Sequence, residues 1–241
     1  MTAVGAIVGT TLRGMFGRRR VLLMLLLAAL PVLVGLLIRL AGGSRDTPEI
    51  LDALVVRTVL PLVALIIGTS VIGSEIEDGT AVFLLVKPIP RWRTALAKMA
   101  VAAGLTAVLM VPPVVLTGVL VSGATGESLG ITFGFALAVM VGGTAYACGF
   151  TALGALTSRA LIVGLAYTLL WEGVLADLLE GTRFLSVRQA TLGLAAAWTG
   201  EDTGTAALDP TISAVMLAVV IGASFSITSL ALARFQIRSA D

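Results

Sequence analysis

The sequence predicts an all-α membrane protein with six transmembrane helices. Three observations predict it. Of 241 residues, 58% are hydrophobic and only 12% charged, and the mean hydropathy is +1.05. A typical soluble domain carries about 25% charged residues, so this chain lacks the polar groups to cover itself in water. Six apolar stretches each approach the roughly 20 residues that a helix needs to cross about 30 Å of hydrocarbon. Between them lie short polar interruptions marked by Gly, Pro, Asp and Thr, the residues of turns and caps. Residues 1–241 read as a single transmembrane domain.

Residues 1–20 come first. Val4, Ile7, Val8, Leu12, Met15 and Phe16 fall at helical spacing on one face, and Arg13 and Arg18, Arg19 and Arg20 follow at the far end. That pattern predicts an interfacial helix with its bases near anionic headgroups; a basic unstructured tail is the alternative. A cleaved signal peptide fits less well, because the next apolar run is about twice the usual core length. The expected spans are residues 21–41, 51–73, 99–121, 131–156, 160–179 and 211–233. Pro31, Pro61 and the pair Pro112–Pro113 fall inside them and predict local kinks or unwinding. In the fourth span Gly143, Ala147, Thr151 and Ala155 form an i, i+4 ladder of small residues, a face for close helix packing.

Residues 74–98 are the longest polar interruption in the first half. Glu75, Glu77 and Asp78 open it, and Lys87, Arg91, Arg93 and Lys98 close it. Between them the apolar run 80–86 is set off by Asp78-Gly79 and Pro88-Ile89-Pro90. This predicts a helix of one or two turns at the membrane surface, with a cap at its start and prolines that stop it. Its apolar face needs cover, and a second protein is the expected cover. Phe83, Leu84 and Leu85 would make that contact, with lipid headgroups as the alternative. Glu75 and Glu77 fit pairing with Arg91 or Arg93, or with bases on the partner, and either one alone fits a simple solvated acid equally well. Lys87, Arg91 and Lys98 are also placed to anchor at headgroups.

Charge sets the orientation. Under the six-span reading, Arg13, Arg18, Arg19, Arg20, Lys87, Arg91, Arg93, Lys98, Arg159, Arg234 and Arg238 share one side. These are 11 of the 16 bases. Lys and Arg bias loops to the cytoplasm, so both termini and residues 74–98 are expected there, in a multi-pass protein of the cell membrane. On the outer side, residues 180–210 hold Ser186-Val187-Arg188-Gln189, a capping box with serine at N-cap and glutamine at N3. The apolar run 190–198 that follows is too short to span. A re-entrant or surface helix and a plain outer loop both fit.

Within the spans Glu172 stands out. It lies 13 residues past Arg159, about 19 Å up a helix, just beyond the midplane. A carboxylate there is costly and must face a partner or water, or be protonated. Gly164, Thr168, Glu172 and Ala176 share one ridge suited to a bundle interior. Arg57 in the second span is the reachable base, which predicts an ion pair between two helices; a substrate-lining acid is the second reading. Asp177, 18 residues past Arg159 and so level with Arg57, competes for it.

The stretch Glu75-x-Glu77-Asp78-Gly79-Thr80, with Lys87-Pro88-Ile89-Pro90-Arg91 and Lys98 after it, resembles the cytosolic loop of ABC-2 permeases, most of all the NosY-like branch. Tyr167-x-x-x-Trp171-Glu172-Gly173 and Phe184-Leu185-Ser186 are similar to that family too. The resemblance implies a permease subunit of an ATP-driven exporter, in which the 74–98 loop carries the coupling helix that docks on a separate ATPase. It assigns Glu75, Glu77, Gly79, Thr80, Phe83, Leu84, Leu85, Lys87, Pro88 and Arg91 to that coupling. It also implies an outer re-entrant helix, two ATPase subunits, and a second permease as homodimer or heterodimer. ATP and Mg would sit on the ATPase, with no cofactor on this chain. In agreement, the sequence contains no G-x-x-x-x-G-K-[ST] phosphate loop.

Other functions fit the residues less well. A stand-alone secondary carrier usually shows internal repeats, and none is evident here. An intramembrane enzyme would need a histidine or a G-x-S-x-G elbow for serine chemistry, and the chain has neither. The single Cys148 precludes an internal disulfide, and its apolar neighbours predict an inert packing thiol. With no histidine the commonest metal ligand is missing, so no metal site is expected. Nor is nucleic acid an expected partner of so apolar a chain.

Overall fold

A computed structural model describes residue 9 and residues 18–42, 46–77, 90–123, 125–176, 184–200 and 208–238, without the side chains of 18–20, 73–77 and 234–238. Nearly every described residue is helical, and no strand occurs among them. Seven helical rods follow one another: α1 (Arg18–Leu40), α2 (residues 47–77), α3 (Arg91–Ser122), α4 (Gly126–Leu156), α5 (Ala160–Leu175), α6 (Val187–Thr199) and α7 (Pro210–Arg238). The rods α1 to α4 and α7 each contain a stretch long and apolar enough to cross a membrane. The expected fifth span appears as α5, a shorter apolar helix within the described residues. The expected interfacial helix over residues 1–20 lies outside them, except Gly9 and the three arginines that begin α1.

The core forms where α2, α3 and α4 meet. From α2, Val55, Val59, Leu60, Val63, Ala64 and Ile67 are all fully buried, which a lipid-facing helix would not show. The small-residue ladder of α4 does what its spacing predicts. Ala147, Thr151 and Ala155 are buried, and Gly143 lies against Leu60 of α2 and Thr106 of α3. Gly68 of α2 completes the contact. A Cβ there would stand 2.8 Å from Phe150 Cβ and 2.9 Å from the Ala147 carbonyl, so only glycine lets these backbones touch. By contrast α1 and α5 turn rows of leucines outward, such as Leu22, Leu26, Leu33 and Leu37, and Leu161, Leu169 and Leu170. Cys148 is buried, as a packing thiol should be.

Two helices change winding midway. In α2, Leu51–Val59 is π-helical, and the N–H of Leu60 still reaches back five residues to the Val55 carbonyl. Pro61 comes next, and because it has no N–H it can join neither ladder, so the winding changes there. The sequence led one to expect a kink or unwinding at Pro61, and the π segment is the local form it takes. Helices α1 and α3 run on through Pro31 and through Pro112–Pro113. In α5, Tyr167–Leu175 is also π-helical. Extra residues per turn inside an α-helix are uncommon and often accompany function. Both segments lie at the same end of the bundle, beside the start of α6.

The third span was expected to begin at residue 99, but α3 begins eight residues earlier, at Arg91, behind Pro90 as N-cap. Alanines and a threonine on its inner face, Thr94, Ala95 and Ala97, are buried and extend the packing below the apolar run.

Candidate functional site

Short helix α6 gathers charged groups at the end of the bundle away from Glu77 and Arg91. Ser186 is its N-cap, and the Oγ accepts from the Gln189 N–H at 3.1 Å. The expected capping box is therefore half formed. The Gln189 side chain does not return the bond, and its Oε1 is buried without a partner among the described residues. Helix α6 is wedged in by small contacts. Thr191 sits on Gly142 of α4, and Gly193 sits against Ser213 and the Leu208 carbonyl at the start of α7. Residues 187–195 are all buried, so α6 is an internal element, and the plain outer loop is excluded for this stretch. Trp198, near its end, stays half exposed.

Glu172 points at the start of α6. Its carboxylate accepts from Tyr167 Oη at 2.8 Å, from Ser186 Oγ at 2.5 Å and from the backbone N–H of Val187 at 3.0 Å. Two of the three donors belong to the first turn of α6, where unsatisfied N–H groups and the helix dipole favour an acceptor. The π winding of α5 helps, because Tyr167 and Glu172, five residues apart, fall together on one side. The ridge expected from the sequence is present as well, since Gly164, Thr168, Glu172 and Ala176 are all buried. Its interior position was legible; its partner was not. The expected Glu172–Arg57 ion pair is replaced by these three bonds. Arg57, exposed in the π segment of α2, instead donates to the carbonyl of Gly173 at 3.1 Å. The arginine thus reaches the right turn of α5 but takes its backbone. Asp177 lies outside the described residues.

A charge pair that the sequence reading missed lies beside this one. Arg188 is 2% exposed, and its guanidinium meets the carboxylate of Asp52 through Nε (3.4 Å) and a terminal nitrogen (3.1 Å). A cation in the first turn of a helix opposes the helix dipole, and the two-pronged carboxylate offsets that cost. The sequence signal was faint. Asp52 opens the second span and Arg188 follows the cap at the same membrane level, but 136 residues separate them. Tyr146 of α4 adjoins the cluster, buried close to Glu172 and Arg188.

At the other end, α2 runs to Glu77 and α3 starts at Arg91, so Glu75 and Glu77 stand in the last turn of α2. Gly79, Thr80, Phe83, Leu84, Leu85, Lys87 and Pro88 lie outside the described residues, as does the short helix expected there. Arg91 is half buried, and Arg93 stacks 5.2 Å above the ring of Trp92, which is itself half exposed. Lys98 differs from expectation. Only 1% exposed, it does not reach for headgroups: its ammonium donates to the carbonyl of Val71 in α2 at 2.9 Å. The earlier start of α3 is the reason, because it places Lys98 inside the helix pair.

Among the described residues no group of His, Cys, Asp or Glu is arranged to hold a metal. The sequence model of the family described as ABC-2 family transporter protein matches residues 17–176, from the start of α1 to the end of α5. The comparison with curated proteins finds no match. Helix α6 and the Asp52 partner Arg188 lie beyond the matched stretch.

Proposed function

The chain belongs to the ABC-2 transporter family, and we propose that it is the permease subunit of an exporter driven by ATP hydrolysis on a separate ATPase chain, on the NosY-like branch. The family match over residues 17–176 carries this reading. Members of that family are transport components and multi-pass membrane proteins. Residues 1–241 then form one permease domain with six crossings, α5 supplying the fifth and α6 re-entering the outer leaflet. The distribution of bases puts both termini and residues 78–89 in the cytosol. In this arrangement Phe83, Leu84 and Leu85 seat on the ATPase, with Glu75, Glu77, Lys87 and Arg91 around them. ATP and Mg are bound by the ATPase, two copies of which serve two permeases, either this chain twice or this chain with a similar one.

The mechanism follows from how the loop is rooted. Residues 78–89 join two long helices whose ends pack together, so a push on the loop reaches the bilayer through α2 and α3. Closure of two ATPases on ATP would tilt these helices and switch the pathway between the permeases from inward-open to outward-open. Co-purification tests the reading. The wild-type chain should bring down an ATPase, and Phe83→Asp should lose it while still inserting in the membrane. An active ATPase retained by Phe83→Asp would exclude docking through this segment. For orientation, an impermeant thiol reagent applied outside to a Cys148→Ala background should modify Thr203→Cys and spare Trp92→Cys.

A further inference from the structure

We propose that Lys98 is the positioning residue of the coupling loop: its buried ammonium ties α3 to α2 just above the loop, so that both helices answer the ATPase as one lever. This rests on residues 78–89 being the ATPase-docking loop. Lys98 is only 1% exposed, and a buried cation in a membrane protein needs polar partners, which draws it to the neighbouring helix. Val71 lies six residues before the end of α2, and Lys98 lies seven residues after the start of α3. At 1.5 Å per residue the tie therefore sits about 9 Å above one root of the loop and about 10 Å above the other. Two nearly equal arms hang below one cross-link.

The acceptor makes the tie directional. Val71 contributes a backbone carbonyl, so this bond grips the axis of α2 itself. Above the tie, α2 is held against α4 by glycine contacts. Gly68 touches Ala147 and Phe150, and Gly154 of α4 approaches the backbone of Thr69, with a Cβ there 3.4 Å from Thr69 Cα. Displacement of the α3 root thus has a path through Lys98 to α2, beside the direct packing of α3 on α4. Without the tie, the roots of α2 and α3 can move apart and the two helices answer the loop separately.

The test uses the chain with its ATPase in lipid nanodiscs, in a Cys148→Ala background. Spin labels at Ile76→Cys and Trp92→Cys report the separation of the two roots. With Lys98 present the distance distribution should be narrow, with and without trapped ATP. Lys98→Met should at least double its width, while Lys98→Arg keeps it narrow. The second readout is hydrolysis. The rate of the bound ATPase should differ from that of the free ATPase. Lys98→Met should erase at least half of this difference while co-purifying the ATPase undiminished, and Lys98→Arg should restore it. If Lys98→Met fails to assemble, Lys98→Gln replaces it. Its amide is polar but one bond short of the Val71 carbonyl, and it should widen the distribution likewise. A well-folded Met or Gln variant with wild-type width and wild-type rate overturns the proposal. If the wild-type chain binds no ATPase, the permease reading fails by itself, and the width measurement on the chain alone still decides whether the tie exists.

Discussion

The two ends of this bundle bury charge in opposite ways. At the far end, carboxylates meet dedicated partners. Asp52 takes the Arg188 guanidinium, and Glu172 takes a tyrosine, a serine and a backbone N–H. Those bonds join three separate elements, with 136 residues between Asp52 and Arg188 and 14 between Glu172 and Ser186. At the loop end, Lys98 donates to a backbone carbonyl only 27 residues away, across the one loop that both helices share. The far-end bonds fix how α6 is seated against α2 and α5. The loop-end bond fixes how two neighbours move. One end is built for registry and the other for transmission.

The far end, with its buried ion pair, is where substitutions cost most stability. Arg188→Met leaves Asp52 buried without its partner and should destabilise the protein by about 3–5 kcal/mol, whereas the Asp52→Asn, Arg188→Met double variant recovers much of the loss. Thermal unfolding in detergent measures both. Equal losses in the single and double variants would mean that the pair is not a unit.

Next in size, Gly68→Val should destabilise by about 1–3 kcal/mol through overpacking, since its Cβ already meets Phe150 and Ala147 at 2.8 and 2.9 Å. The same heat-denaturation assay reads it. A neutral result would mean that α2 and α4 can separate, which would also weaken the path from the loop into the bundle.

A smaller effect sharpens the identity of the Glu172 partner. Glu172→Gln and Ser186→Ala should each cost about 1–3 kcal/mol, the desolvation cost of a buried polar group left unmatched. A double-mutant cycle should show them coupled, and a parallel cycle should show Glu172 and Arg57 uncoupled. Coupling to Arg57 instead would restore the ion pair that depth alone suggested. Smallest of all, Tyr167→Phe removes one neutral donor to Glu172 and should cost about 0.5–1.5 kcal/mol.

The expected loss at Glu172 also shows where sequence reasoning reached its end. Its burial was legible, because Gly164, Thr168, Glu172 and Ala176 mark one ridge whatever the neighbours are. Its partner was not. Arg57 was chosen because it is the nearest base by helical rise, yet helix N-termini offer backbone donors that carry no letter in the sequence. The π segments were equally hidden, apart from the proline that ends one of them. Lys98 was misread for a related reason. The polar run around it looked like a loop, whereas α3 begins at Arg91 and carries the lysine into the packed interface.

What the sequence determined by itself was whatever depends on composition and short-range pattern. Apolar length sets the spanning helices, the Ser186 cap starts α6, and the small ladder on α4 announces a close helix contact. Only the tertiary structure decided which polar group meets which. In a low-dielectric interior a buried donor or acceptor left unmatched is costly. The match is made by whichever group folding brings within about 3 Å, and side-chain spacing along the chain does not encode that distance. Asp52 and Arg188 meet because α6 wedges between α4 and α7, and Lys98 meets Val71 because α2 and α3 close on each other before their loop begins.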